Sequence, residues 1–124
     1  MSVVSKTIKY LLDKNISVST AESCTGGLLA AEFTAVSGIS KIYKTGLITY
    51  SNDSKIKNLK VKPSTIKRYG AVSRQVCAQM CLHLHKISKS QLTFSTTGVA
   101  GPNGGTKLKP CLLYTSDAAD EQWS

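Results

Sequence analysis

An α/β layered domain is the fold that this sequence predicts, because short strand-like runs alternate with amphipathic helical stretches and two of those runs empty into glycine-rich loops. Val4, Ile8, Leu11 and Leu12 recur at helical spacing and predict a helix over about residues 3–14, stopped near Asn15. Ile16, Val18 and Thr20 alternate with Ser17 and Ser19, a short strand over 16–20 that delivers the chain into Ala21-Glu22-Ser23-Cys24-Thr25-Gly26-Gly27. A second helix, from Thr25 to about Val36, carries Leu28, Leu29, Ala31 and Phe33 and ends at Ser37-Gly38. Residues 46–50 form the next strand. Asn52-Asp53-Ser54 then supplies capping chemistry for a short helix bearing Lys55, and Pro63 opens another that Gly70 closes. Ser73 caps a longer helix, Arg74 to about Lys89, with Val76, Met80, Leu84 and Ile87 on one face. Leu92, Phe94 and Thr96 make a third strand, which runs into Thr97-Gly98-Val99-Ala100-Gly101-Pro102-Asn103-Gly104-Gly105.

One domain is expected from 124 residues, enough chain to bury a core without cross-links. No stretch approaches the roughly 20 apolar residues that span a bilayer, and Met1-Ser2-Val3-Val4-Ser5-Lys6 lacks the apolar core of a secretory leader. A cytoplasmic protein with no membrane partner is therefore expected. Cys24, Cys77, Cys81 and Cys111 form no C-x-x-C pair, which argues against a disulfide framework or a tetrahedral zinc site, so no metal and no cofactor is expected. Cys77 and Cys81 share one helix face and read as small buried apolar groups, whereas His83 and His85 read as surface residues.

Formal net charge is +9, and all sixteen Lys and Arg precede residue 111, where only four acidic residues oppose them. Such an excess suits phosphate neutralisation. The lysines are dispersed, however, with Lys55, Lys57, Lys60 and Lys62 the densest group, and no aromatics are interleaved for base stacking. A solvated surface is the better reading, and no nucleic-acid partner is expected.

Where a glycine-rich loop leaves a strand and opens a helix, free N–H groups and the helix dipole suit a phosphate or a developing oxyanion. The N–H groups of Cys24 to Gly27 are placed for this purpose. On composition alone Ser23 or Thr25 would simply cap the helix, and Glu22 either favours the dipole or orients another group.

Taken together, AESCTGG at 21–27, TYSNDSK at 49–55, GAVS at 70–73 and TGVAGPNGGT at 97–106, followed by KP at 109–110, resemble the CinA C-terminal domain family from about residue 3 to 110. The resemblance implies a three-layer α/β/α domain on a central mixed sheet. It also implies a metal-independent amidohydrolase that converts nicotinamide mononucleotide to nicotinate mononucleotide and ammonia in pyridine nucleotide recycling, and a homodimer at full length. Carried over by motif, Ser23 is the nucleophile, Lys55 the base and Tyr50 its assistant, while Glu22, Thr25, Gly26, Gly27, Thr97, Gly98, Ala100 and Gly101 contact the nucleotide. A non-catalytic nucleotide-binding or interaction module of the same family is the alternative.

A serine–lysine pair needs an amine that is neutral part of the time, so Lys55 must fall below the ordinary lysine value of about 10.4, chiefly by burial. Cys24, beside Ser23 and near a helix start, is the minor option as nucleophile. Residues 1–110 are expected to form the domain, incomplete by a final strand and helix. Residues 111–124, abruptly acidic, read as a foreign tail of translated adapter sequence. That reading predicts an open sheet edge and a chain inactive as it stands.

Overall fold

The structure is a computed structural model that describes residues 2–98 and the backbone of 112–116. Its centre is β1 (Val18–Glu22), flanked in parallel by β2 (Tyr43–Ile48) and β3 (Leu92–Thr97). The sheet order is β2-β1-β3-β4, where β4 (Leu112–Ser116) runs antiparallel along β3 with Thr93 opposite Ser116 and Thr97 opposite Leu112. The sheet is therefore mixed, as expected, but the edge of β3 is not open: the backbone of 112–116 occupies it.

Helices cover both faces. On one side lie α1 (Val3–Asp13) and α2 (Leu28–Thr34), where Ile8, Leu11, Val18, Phe33, Ile39 and Ile42 form a buried cluster. Ser2 accepts the Ser5 N–H at 3.1 Å and so starts α1. On the other side α3 (Asn52–Leu59), α4 (Pro63–Tyr69) and α5 (Arg74–Ser88) pack a second cluster of Ala21, Leu59, Val61, Val76, Met80 and Leu84. Cys77 and Cys81 lie buried at the α5–β3 seam, against Ser95 and Thr93 respectively. His83 and His85 are half-buried rather than on the surface, because α5 is covered along more of its circumference than its apolar stripe suggests. No helix among the described residues is long and apolar enough to cross a membrane.

Three element boundaries differ from expectation, each for a physical reason. β2 starts at Tyr43 rather than Gly46: burial alternates along the whole strand, but Lys44 and Thr45 are polar and give its first half no apolar run by which a strand is read. β1 begins and ends two residues later than expected, since Ile16 N–H closes back on Leu11 O at 3.0 Å. α2 starts at Leu28 rather than Thr25, because Gly26 (φ 58°) and Gly27 (φ 105°) take left-handed conformations that carry the chain through a turn first.

Candidate active site

Because β1, β2 and β3 are parallel, the segments leaving their carboxyl ends emerge along one edge of the sheet, the usual place for a ligand in an open α/β sheet. Alternation along β1 divides the work. Glu22 turns towards α2, while the next residue, Ser23, meets the α3 side. There a cleft of about 180 Å³ is lined by Ser23, Cys24, Tyr50, Asn52, Lys55, Ala71, Thr97 and Gly98.

Two polar side chains converge within it on one main-chain atom. Lys55 Nζ donates to the Tyr50 carbonyl oxygen at 3.0 Å, and Ser23 Oγ donates to the same oxygen at 3.5 Å. Ser51 fixes this arrangement from below by accepting the Ser54 N–H at 3.0 Å, which starts α3 and sends Lys55 inward one turn later. Lys55 is only 2% exposed. Burial holds its amine below the ordinary lysine range, and the charge of neighbouring Cys24 opposes that shift. Burial is therefore the leading cause, as the sequence argument requires.

Ser23 is held through its backbone. Its N–H points at Thr96, with the carbonyl oxygen at 3.2 Å and Oγ1 at 3.3 Å, and Thr96 Oγ1 also meets Thr25 Oγ1 at 2.9 Å. Thr97 donates to Ala71 O at 2.7 Å, which brings the 70–73 segment to the rim. Ser73 accepts the Val76 N–H at 3.2 Å and is the cap of α5.

The start of α2 is not available for a ligand. Glu22 Oε1 accepts Gly27 N–H at 3.2 Å and Leu29 N–H at 2.8 Å, and Oε2 accepts Ala30 N–H at 2.9 Å. Gly26 N–H is spent on Ser23 O at 3.1 Å. The expectation of unpaired donors from Cys24 to Gly27 thus fails at both glycines, because an internal carboxylate already satisfies the turn. Among the described residues no three His, Cys, Asp or Glu side chains gather as a metal site.

Residues 1–115 match the profile of the CinA C-terminal domain. The chain belongs to the CinA C-terminal domain family. A competence-damage inducible protein of Clostridium novyi (strain NT) is 54% identical over 107 residues, covering 86% of this chain and 26% of that protein. Its namesake in Acetivibrio thermocellus is 49% identical over 109 residues, covering 87% and 26%. The chain thus spans about a quarter of the length of these curated relatives. Among solved structures, the competence/damage inducible protein CihA of Agrobacterium tumefaciens superposes with a TM-score of 0.80 at 32% identity, covering 97% of this chain and 86% of that one. A CinA superfamily protein of Escherichia coli follows at 0.77 and 31%, covering 91% and 72%.

In this CinA C-terminal domain the cleft gathers Ser23, Lys55, Tyr50, Thr97 and Gly98 from three separate motifs. Tyr50 takes part through its carbonyl, while its side chain is 61% exposed. Glu22, Thr25, Gly26 and Gly27 lie beneath or beside the cleft and do not line it. Ala100 and Gly101 fall outside the described residues. Sequence reasoning passed over Thr96, which carried only a strand signal, and Asn52, whose capping chemistry hid its place on the wall.

Proposed function

We propose that the cleft hydrolyses the carboxamide of nicotinamide mononucleotide, giving nicotinate mononucleotide and ammonia. The observation that carries this reading is the meeting of the Ser23 hydroxyl and the buried Lys55 amine on the Tyr50 carbonyl. In the neutral form Lys55 takes the Ser23 proton as Oγ attacks the amide carbon. The resulting ammonium hands that proton to the departing nitrogen, so ammonia leaves and an acyl-serine remains. Water then adds to the ester, Lys55 accepting its proton and returning one to Ser23 Oγ. The sum is amide plus water to acid plus ammonia.

With the Gly26 and Gly27 N–H groups satisfied internally, the Asn52 amide on the cleft wall and the Lys55 ammonium are the side-chain donors assigned to the oxyanion. Thr97 and Gly98, and the Tyr50 ring at the rim, are the contacts offered to the nucleotide. Ammonia release from nicotinamide mononucleotide tests the reading, on this chain and on a chimera that continues from residue 110 with the Clostridium novyi relative. Ser23→Ala and Lys55→Ala should each cost at least about 10³-fold in kcat. Turnover unchanged in either variant removes the dyad, and nucleotide binding without turnover in the unmutated proteins favours the non-catalytic module.

A further inference from the structure

We propose that Glu22 is a positioning residue for the nucleophile, anchoring the Ser23 loop by a buried carboxylate that never meets the substrate. The assignment rests on Ser23 acting as nucleophile. Glu22 is 1% exposed and receives four donors: the Thr25 hydroxyl at 2.6 Å and the N–H groups of Gly27, Leu29 and Ala30. One side chain thereby ties the last residue of β1 to the first turn of α2. Ser23 is the residue between these two supports.

The main chain of Glu22 extends the anchor to the other wall. Its carbonyl accepts Thr49 N–H at 2.8 Å, one residue before the Tyr50 carbonyl on which Ser23 and Lys55 converge. Thr25 couples the carboxylate to β3, since it donates to Glu22 and also bonds Thr96, which in turn takes the Ser23 N–H. Loss of the carboxylate frees the loop in three directions at once. Misplacement of a nucleophile by about an ångström lowers the chemical step on the order of 100-fold while leaving the substrate's contacts in place.

The test is Glu22→Ala in the full chain and in the chimera, with sodium formate supplied as a detached carboxylate and sodium chloride as the ionic-strength control. Formate should raise the melting temperature of the variant and not that of the unmutated protein. It should also restore a kcat that has fallen about 100-fold, with KM within about twofold throughout. No response to formate overturns the proposal, as does a raised KM at unchanged kcat, which would put Glu22 on the substrate. Glu22→Gln, which fills the same space but turns an amide N–H₂ towards donors, should fold, lose kcat and ignore formate; normal turnover in it is equally fatal. If the unmutated proteins hydrolyse no amide, the proposed function fails by itself, and formate-dependent melting alone decides the anchor.

Discussion

Two buried ionisable side chains stand on either side of the Ser23 backbone, and they are treated in opposite ways. Glu22 is saturated, with four donors from the loop and from α2. Lys55 is nearly as buried, yet the one acceptor recorded for it among the described residues is the Tyr50 carbonyl. A buried charge with a full complement of hydrogen bonds is a structural device. One with too few is held at a cost in stability, and such groups are concentrated where proton transfer is done. The Ser23 wall is therefore the fully hydrogen-bonded half of the cleft and the Lys55 wall the electrostatically stressed half.

The contrast breaks most visibly at Glu22. Glu22→Ala strands four donors in the interior, and chemical denaturation should show a loss of about 3 kcal/mol or more. Lys55→Met should move the other way. It removes an amine that burial penalises when charged, and a gain of about 1–2 kcal/mol is expected near neutral pH together with loss of turnover.

The sign can be followed through pH. At low pH Lys55 is charged in both states and folding carries the whole penalty. Between its depressed folded pKa and the ordinary 10.5 the folded chain is already neutral while the unfolded chain still binds the proton, so stability climbs. Above 10.5 the penalty is gone. Melting curves of the two proteins should accordingly converge as pH rises towards that value, and a constant gap would mean that desolvation of the amine is not its origin.

A smaller effect sharpens the comparison at the level of helix starts. α3 is capped locally, by Ser51 three residues before Ser54, whereas α2 has Gly27 at its N-cap, with no capping side chain of its own, and borrows Glu22 from the preceding strand. Ser51→Ala should cost only about 1 kcal/mol, measured by the same denaturation.

The same difference explains what could be read in advance. Ser73 and the capping run around residue 52 announce their helices because cap and donor lie three residues apart, a spacing visible in one dimension. The remote cap of α2 has no such spacing, so its start is misread by three residues and its glycine donors look free. The first half of β2 is concealed differently, since Lys44 and Thr45 are polar and leave no apolar run there although burial alternates throughout the strand. β4 was hidden for another reason: Leu112 to Ser116 has the apolar and β-branched character of a strand, but the abrupt change of composition around it suggested foreign sequence. That Ser23, Tyr50 and Lys55 would share one cleft was legible because parallel strands bring their exits together, which makes neighbours of motifs nearly thirty residues apart.

The smallest expected effect isolates the lysine's environment. Cys24 lines the cleft, half-buried, and its charge raises the Lys55 pKa against the pull of burial. Cys24→Ala removes that opposition while leaving Ser23, Tyr50 and the Glu22 anchor untouched, so Lys55 should lose its proton at lower pH. If Lys55 is the base, the rising limb of kcat/KM against pH must move to more acidic pH with little change in the plateau. A limb that stays in place would assign it to a different group. Collapse of the plateau itself would instead make the Cys24 thiol the attacking atom, the outcome in which the Glu22-anchored wall keeps its role but passes it one residue along the loop, and Ser23 becomes only part of the loop that holds it.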